Sequence, residues 1–364
     1  MPIPFNHLRR VTGPHATALS AAFARVLERG VFVLGEEVAN FEREVAAYCG
    51  VPHCAGVASG SDAIELALRA VGVAAGDEVA TVANAAMYST LAIRAIGALP
   101  RYVDVDDTDL LMSPPALAAR LRPAVRAVLV THLYGRLAPM EDILPIAAAR
   151  GVPVVEDCAQ AHGATRATLR AGAYGAAGCF SFYPTKNLGA LGDGGAVVAR
   201  DAAVDARVRS LRQYGWAAKY HVGQAGGRNS RLDELQAAFL RARLESLDAE
   251  NAQRRAIVDA YAEGISHPAI RPPRRAGADC AAHLAVVRSP QRDALRRHLA
   301  EHGIGSEVHF PVPDHRQPGG AEADPAPLPV TERACGEVLS LPCFPGLTDD
   351  EVAAVVSACN GWTP

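Results

Sequence analysis

Long apolar runs and blocks of like charge are both missing from this sequence. No apolar run reaches the roughly 18 residues that a membrane-spanning helix needs, and the N-terminal residues MPIPFNHLRR lack the apolar core of a signal peptide. The 36 lysines and arginines nearly balance the 39 aspartates and glutamates, and they form no basic block that would bind nucleic acid. These absences predict a globular cytoplasmic protein with no membrane or nucleic-acid partner.

Metal-binding and dinucleotide-binding motifs are missing as well. The eight cysteines include no CxxC pair and no grouping with histidine at zinc-site spacing. We therefore predict reduced, buried cysteines and no metal site. No GxGxxG follows the first apolar run, and GALGDGG follows a lysine, which argues against a nicotinamide-binding enzyme.

Short apolar runs alternate with helical patterns from about residue 53 to 200. This alternation predicts an α/β fold in which strands joined by helices form a mainly parallel sheet. The intervening segments carry apolar residues at helical spacing and end at glycine. The runs are CAGVAS, EVATV, RYVDV, AVLVTH, VPVVE, GCFSF and GGAVVA.

The two ends of the chain differ from this pattern. Two amphipathic helices are predicted upstream, and residues 231–264 contain no proline and only a terminal glycine, which predicts one long helix that leads to a second domain. After it come one short strand, a helix and the rigid proline-rich stretch HFPVPDHRQP. We predict a large α/β domain over 1–245 and a small α+β domain over 246–364.

The run VPVVE delivers Asp157 to the carboxyl edge of the sheet, where open α/β sheets bind ligands. A buried carboxylate needs a partner, and the protonated nitrogen of a pyridinium ring is one. Gln160, three residues on, would then reach the phenolic oxygen of that ring. The alternative is an aspartate that caps the next turn.

A second strand leads into Lys186 and a glycine-dense turn. A lysine held between an apolar strand and closely packed backbone is partly desolvated, which lowers its pKa toward what Schiff-base chemistry requires. Ser181 and Thr185 add hydroxyls beside it. A third segment, VASGSDAIELALRA, places Gly60 and Ser61 where a helix begins, and a helix N-terminus favours a phosphate. By itself this third signal is equally consistent with a plain helix cap.

These segments occur in the same order as in the DegT/DnrJ/EryC1/StrS family of sugar aminotransferases, which the chain resembles. The resemblance runs nearly end to end. It rests on VLGEEVANFE, ASGSDAIELALRA, VTHLYG, VEDCAQAHGA, CFSFYPTKNLGALGDGGAVV, NSRLDELQAA, HFPVPDHRQP and LSLPCFPGLTDDE.

The resemblance implies a fold-type I enzyme with a seven-stranded sheet, a pyridoxal 5'-phosphate cofactor and a homodimer with shared active sites. Lys186 would hold the cofactor and serve as general acid and base, with Asp157 at the pyridine nitrogen and Gln160 at the ring oxygen. The other residues it assigns to cofactor binding are Gly60, Ser61 and Ser181 at the phosphate, Asn229 reaching the neighbouring subunit's phosphate, and Tyr88 stacking on the ring.

Two positions depart from the family pattern. The usual GTDA reads GSDA, which keeps the hydroxyl, and the segment that often places an aromatic ring over the cofactor reads Ala86, Met87, Tyr88. Tyr88 is the better stacking candidate because an aromatic face stacks whereas methionine only packs.

The resemblance is to members that transfer an amino group from L-glutamate to C3 of a dTDP-linked keto-6-deoxyhexose. The substrate-binding candidates are Tyr183, Lys219, Tyr220, His221, Arg228, His309 and His315, and several of these equally fit solvated loop residues. Amination at C4, a keto-inositol substrate and a cofactor-binding regulator without turnover stay open. A related sugar dehydratase has histidine in place of the lysine, so Lys186 argues against it.

Overall fold

The computed structural model describes residues 2–322 and 325–363. Its helices are α1 (Leu8–Thr12), α2 (Ala16–Arg29), α3 (Glu36–Cys49), α4 (Gly60–Ala70), α5 (Tyr88–Ala95), α6 (Pro114–Arg120), α7 (Met140–Ala148), α8 (Ala202–Leu211), α9 (Glu234–Leu244), α10 (Leu247–Gly264), α11 (Arg292–Glu301), α12 (Pro329–Glu337) and α13 (Asp349–Asn360). Three short 3₁₀ helices span Gly13–His15, Leu133–Gly135 and Asp314–Arg316.

The strands are β1 (His53–Val57), β2 (Glu78–Val82), β3 (Leu99–Val103), β4 (Val125–Thr131), β5 (Val154–Asp157), β6 (Thr165–Arg166), β7 (Leu169–Arg170), β8 (Ala177–Ser181), β9 (Gly195–Ala199), β10 (Trp216–Ala218), β11 (His221–Val222), β12 (Ala285–Arg288) and β13 (Val338–Leu341).

The central sheet has seven strands in the order β1-β9-β8-β5-β4-β2-β3. β9 runs antiparallel to both of its neighbours, and the other adjacent pairs are parallel. Each strand corresponds to one of the seven apolar runs, because a strand covered on both faces reads as a nearly continuous apolar run. The prediction of an α/β fold with a mainly parallel sheet is confirmed.

Helices cover both faces of this sheet. On one face α4 packs on β8, β9 and β5, and its buried residues join α5, α8 and the sheet in one apolar cluster. On the other face α3 and α9 cover a second cluster that includes Phe41, Phe180 and Phe182. The sheet is therefore buried on both sides, and its carboxyl edge is the part of it that faces a cavity.

A separate apolar cluster forms around α10, α11, α13 and the pair β12–β13. Ile3 and Val11 from the N-terminus pack into it, and Ile3 pairs with Ile304. The predicted boundary between the large and small domains at residues 245/246 stays a proposal. Ile3 and Val11, which the prediction assigned to the large domain, pack into the C-terminal cluster.

The single long helix predicted over 231–264 is wrong. The structure has α9 and α10 with a break at Glu245 and Ser246. Arg243, fully buried next to the break, donates to the carbonyl of Gly189 (2.7 Å) and to Glu250 (3.2 Å). These buried contacts hold the chain at the break, which helix propensity alone does not indicate.

All eight cysteines are buried and free, as predicted. Within residues 2–322 and 325–363, no helix is both long enough and apolar enough to cross a membrane.

Candidate active site

A cavity of about 510 Å³ opens at the carboxyl ends of β4, β5 and β8. That volume falls in the range of small-molecule and cofactor sites. All the residues predicted to bind the cofactor line it, except Asn229. The lining residues that the sequence identified are Gly60, Ser61, Tyr88, Asp157, Gln160, Ser181, Tyr183, Thr185, Lys186 and His309.

One end of the cavity is the N-terminus of α4. The hydroxyl of Ser59 caps this helix by accepting a hydrogen bond from the Asp62 amide (3.1 Å). A β-carbon on Gly60 would lie 2.5 Å from the Ser181 Cβ, so only glycine fits this approach of helix and strand. The helix start and the Ser181 hydroxyl thus face the same space, which suits a phosphate group.

Asp157, the last residue of β5, is buried beside this space. Its Oδ1 accepts a hydrogen bond from the Ala159 amide (3.1 Å). Burial raises the pKa of the carboxyl group, and the positive charge of Lys186 partly opposes that increase. A cationic ring nitrogen in the cavity would supply the partner that a buried carboxylate needs.

The orientation of Gln160 follows from a backbone contact. The Tyr134 amide donates to Gln160 Oε1 (2.6 Å), so the side-chain oxygen is already engaged. The side-chain NH₂ group is left to donate toward the cavity. Gln160 therefore has a donor available on the cavity side, and its role at the ring oxygen of the cofactor stays a prediction.

Lys186 lines the cavity and is half-buried. Burial lowers the pKa of its amino group, while Asp157 acts in the opposite direction. No hydrogen bond to Lys186 Nζ is found within the described part of the chain. A desolvated amine of this kind is suited to nucleophilic attack on a carbonyl.

Sequence reasoning missed His283, which also lines the cavity. Asn187 donates through Nδ2 to Asn251 (2.8 Å) and to the Ala281 carbonyl (2.8 Å), so its Oδ1 accepts from His283 Nδ1 (2.9 Å). Burial holds the pKa of His283 well below its usual value, which leaves a neutral ring with an unprotonated Nε2. No sequence signal marks His283, because its partner Asn187 lies 96 residues earlier in the chain.

His132 and Glu156, the latter next to Asp157 in the chain, form a second buried polar group that the sequence did not single out. The Ala138 amide donates to His132 Nδ1 (3.0 Å), so His132 Nε2 donates to Glu156 (2.9 Å). Glu156 also accepts three backbone N–H groups of the segment 172–175. Cys158 lies near this pair, yet the carboxylate is fully engaged in hydrogen bonds, so His132 and Glu156 form a structural pair.

The remaining substrate candidates lie outside the cavity lining. Lys219, Tyr220 and His221 are exposed on the hairpin of β10 and β11. Arg228 pairs with Asp62 and Glu65, at 2.7 Å each. Asn229 is exposed on the same segment, and His315 Nε2 contacts Glu332 at 2.8 Å. Roles for these residues stay predictions, and that of Asn229 concerns a second copy of the chain.

Known proteins are similar to this chain along nearly its whole length. The model of the DegT/DnrJ/EryC1/StrS aminotransferase family matches residues 16–360. The chain is 44% identical over 345 residues to a dTDP-3-amino-3,4,6-trideoxy-alpha-D-glucose transaminase of Micromonospora megalomicea subsp. nigra, covering 93% of this chain and 92% of the relative.

Two solved structures are similar along nearly the whole chain. DesV of S. venezuelae, in complex with a ketimine intermediate, superposes with a TM-score of 0.95 at 42% identity, covering 99% of this chain and 98% of DesV. NtdA of Bacillus subtilis, with bound cofactor PMP, superposes with a TM-score of 0.92 at 27% identity, covering 98% of this chain and 84% of NtdA.

Proposed function

The chain belongs to the DegT/DnrJ/EryC1/StrS aminotransferase family, as its resemblance predicted, and we propose that it uses pyridoxal phosphate to transfer an amino group from L-glutamate to C3 of a dTDP-linked keto-6-deoxyhexose. That it is a sugar aminotransferase follows from the family and its relatives. The cofactor, the donor and the exact substrate are the proposed part.

The observation that carries the proposal is the meeting of Lys186, Asp157 and Gln160 in one cavity. The half-buried amine has no hydrogen-bond partner among the described residues, the buried carboxylate needs a cation, and the amide presents a donor. Each group matches a different part of pyridoxal phosphate: its aldehyde, its ring nitrogen and its ring oxygen. The α4 N-terminus matches the phosphate.

Pyridoxal phosphate, when bound, supplies an electron sink for amino-group transfer. The residues of the cavity have separate roles toward it. Asp157 would keep the ring nitrogen protonated, and the amides of Gly60 and Ser61 would hold the phosphate. Lys186 would hold the cofactor through Nζ, and the same amine would serve as the base and acid that carries a proton during transfer. The neutral His283 offers an acceptor at Nε2 on the cavity wall.

The substrate proposal rests on the relatives. The Micromonospora protein is named for a 3-amino product linked to dTDP, and it matches this chain over almost its full length. Tyr183 and His309 line the cavity and are available to contact a sugar. Among the candidates outside it, Lys219 carries a positive charge that would offset a diphosphate.

The homodimer proposal is supported by exposed apolar side chains. Phe23 and Leu27 on α2 are 47% and 60% exposed, and Phe32 just after that helix is 50% exposed. Tyr183 at the cavity is also exposed. Large apolar side chains that remain exposed in one subunit mark a surface that a partner covers, and Asn229 would enter the partner's site.

The test uses an unusual feature of the composition: Lys186 and Lys219 are the chain's two lysines. The protein is loaded with pyridoxal phosphate, reduced with borohydride and digested for mass spectrometry. We expect the visible absorbance band of bound cofactor and its mass on the Lys186 peptide, with Lys219 unmodified. Lys186→Ala should abolish both, and the matched control Lys219→Ala should keep both. Cofactor on neither lysine would contradict the proposal.

Turnover tests the donor and the substrate. Glutamate should bleach the band, and a dTDP-linked 3-keto-6-deoxyhexose should restore it, whereas Lys186→Ala should lose about 10²-fold or more in rate. Restoration by the 4-keto isomer or by a free keto-inositol, with no response to the 3-keto sugar, would overturn the substrate assignment while leaving the transaminase chemistry intact.

A further inference from the structure

The segment between β2 and α5 forms one wall of the cavity, through Ala85 and Tyr88. Two consecutive residues in it, Ala86 and Met87, have φ values of 59° and 66°. A β-carbon disfavours this left-handed conformation, so the segment holds it only if contacts from elsewhere impose it. Such strain concentrates at functional sites.

The contacts come from Asp314, in the loop that follows β12 and α11. Its carboxylate is completely buried. Oδ1 accepts a hydrogen bond from the Met87 amide (2.9 Å), and Oδ2 accepts one from the Thr90 hydroxyl (2.7 Å). The Asp314 amide donates to the carbonyl of Ala83 (2.7 Å). One residue therefore holds the wall segment at its beginning and at its end.

Asp314 also acts as the N-terminal cap of α5. Met87 occupies the cap position of that helix, and its side chain makes no capping hydrogen bond. A carboxylate at a helix N-terminus satisfies free amides and interacts favourably with the helix dipole. Here the cap is 227 residues away in sequence.

The same loop also supplies part of the cavity lining. His309 and Phe310 line it, and the Phe310 ring meets Tyr88 edge-on with centroids 6.4 Å apart. The Asp314 cap and this aromatic contact both connect the loop to the segment that carries Tyr88. The position of Tyr88 therefore depends on the position of the loop.

We propose that Asp314 is a positioning residue of the active site, which holds Tyr88 at the cofactor by capping α5 from the C-terminal loop. The role toward the cofactor rests on the proposed function. The loop has a second attachment at Glu322, which accepts from the Tyr102 amide (2.8 Å) and from Arg120 (2.5 Å). Glu322→Gln is therefore the matched control, since it weakens the loop without removing the cap.

The first measurement is hydrogen exchange on the cofactor-free protein, after circular dichroism establishes that each variant is folded. Asp314→Ala should speed exchange of the Met87 amide by about tenfold. Asp314→Asn should keep most of the protection, because its Oδ1 still accepts that bond, and Glu322→Gln should leave Met87 unchanged. Unchanged exchange in both Asp314 variants overturns the inference.

The second measurement is a double-mutant cycle on pyridoxal-phosphate affinity. Asp314→Ala should weaken binding about tenfold in the wild type and less than about twofold in a Tyr88→Ala background, because Asp314 acts through Tyr88. Equal losses in both backgrounds overturn this inference alone. A wild-type protein that binds no cofactor overturns the proposed function and this inference together.

Discussion

Acid should destabilise the fold through His162, and His162→Phe should remove that contribution. The imidazole is 2% exposed, and its centroid lies 5.3 Å from the Phe180 ring and 5.7 Å from the Phe182 ring. Burial, with a smaller effect of Lys186, lowers the pKa of His162 from 6.5 to about 3. The ring stays neutral when folded at a pH where the unfolded chain takes up a proton.

The sign and size follow from linkage. A histidine whose folded pKa is depressed loses no stability above its unfolded pKa of about 6.5, and loses it progressively as the pH falls toward the folded value of about 3. Between about pH 8 and about pH 5, this one group should cost about 2 kcal/mol of unfolding free energy. His162→Phe also changes the packing, at a cost of about 1–3 kcal/mol that is the same at both pH values.

The assay is urea unfolding of the cofactor-free protein at both pH values, followed by circular dichroism. Between the two pH values, the free energy of unfolding should fall by about 2 kcal/mol more in the wild type than in His162→Phe. His302→Gln, which changes an exposed ring at the end of α11, is the matched control and should behave like wild type. An equal acid-induced loss in wild type and His162→Phe would refute the assignment of this lability to His162.

Three further changes test the framework of the site. Glu156→Gln places an amide NH₂ against backbone N–H donors, so it should lower the free energy of unfolding in urea by about 3 kcal/mol. A decrease below about 1 kcal/mol would contradict this. Gly60→Ala should weaken pyridoxal phosphate binding at least about tenfold in an absorbance titration, because its β-carbon meets Ser181, and unchanged affinity would count against the phosphate site. Thr348→Ala breaks the capping box with Glu351 and should lower stability by about 1 kcal/mol in thermal melts without changing cofactor affinity.

Much of the sheet and the centre of the site could be predicted because their signals are local. The strands read as apolar runs, and Asp157 and Lys186 each follow such a run, so chain order places both at the edge of the sheet. Gln160 follows Asp157 by three residues and enters the same cavity. The helix start at Gly60 is recognisable from the serine and small residues around it.

Other features have little or no local signal. The break between α9 and α10 is accompanied by the buried contacts of Arg243, and Ser246 within it is too weak a signal to mark a helix end by itself. His283 enters the cavity through a hydrogen bond to Asn187, almost a hundred residues earlier in the chain. The hairpin of β10 and β11 carries predicted substrate residues, yet it lies outside the cavity lining of this chain.

The sequence by itself determined the seven strands of the central sheet, the family and the choice of the central lysine, aspartate and glutamine. These depend on periodicity, on caps and on motifs a few residues long. Only the tertiary structure decided what Gln160 presents to the cavity and what holds Tyr88 beside it. Both depend on hydrogen bonds to groups distant in sequence, and the energy of such a bond depends on burial and geometry that exist only after the chain has folded.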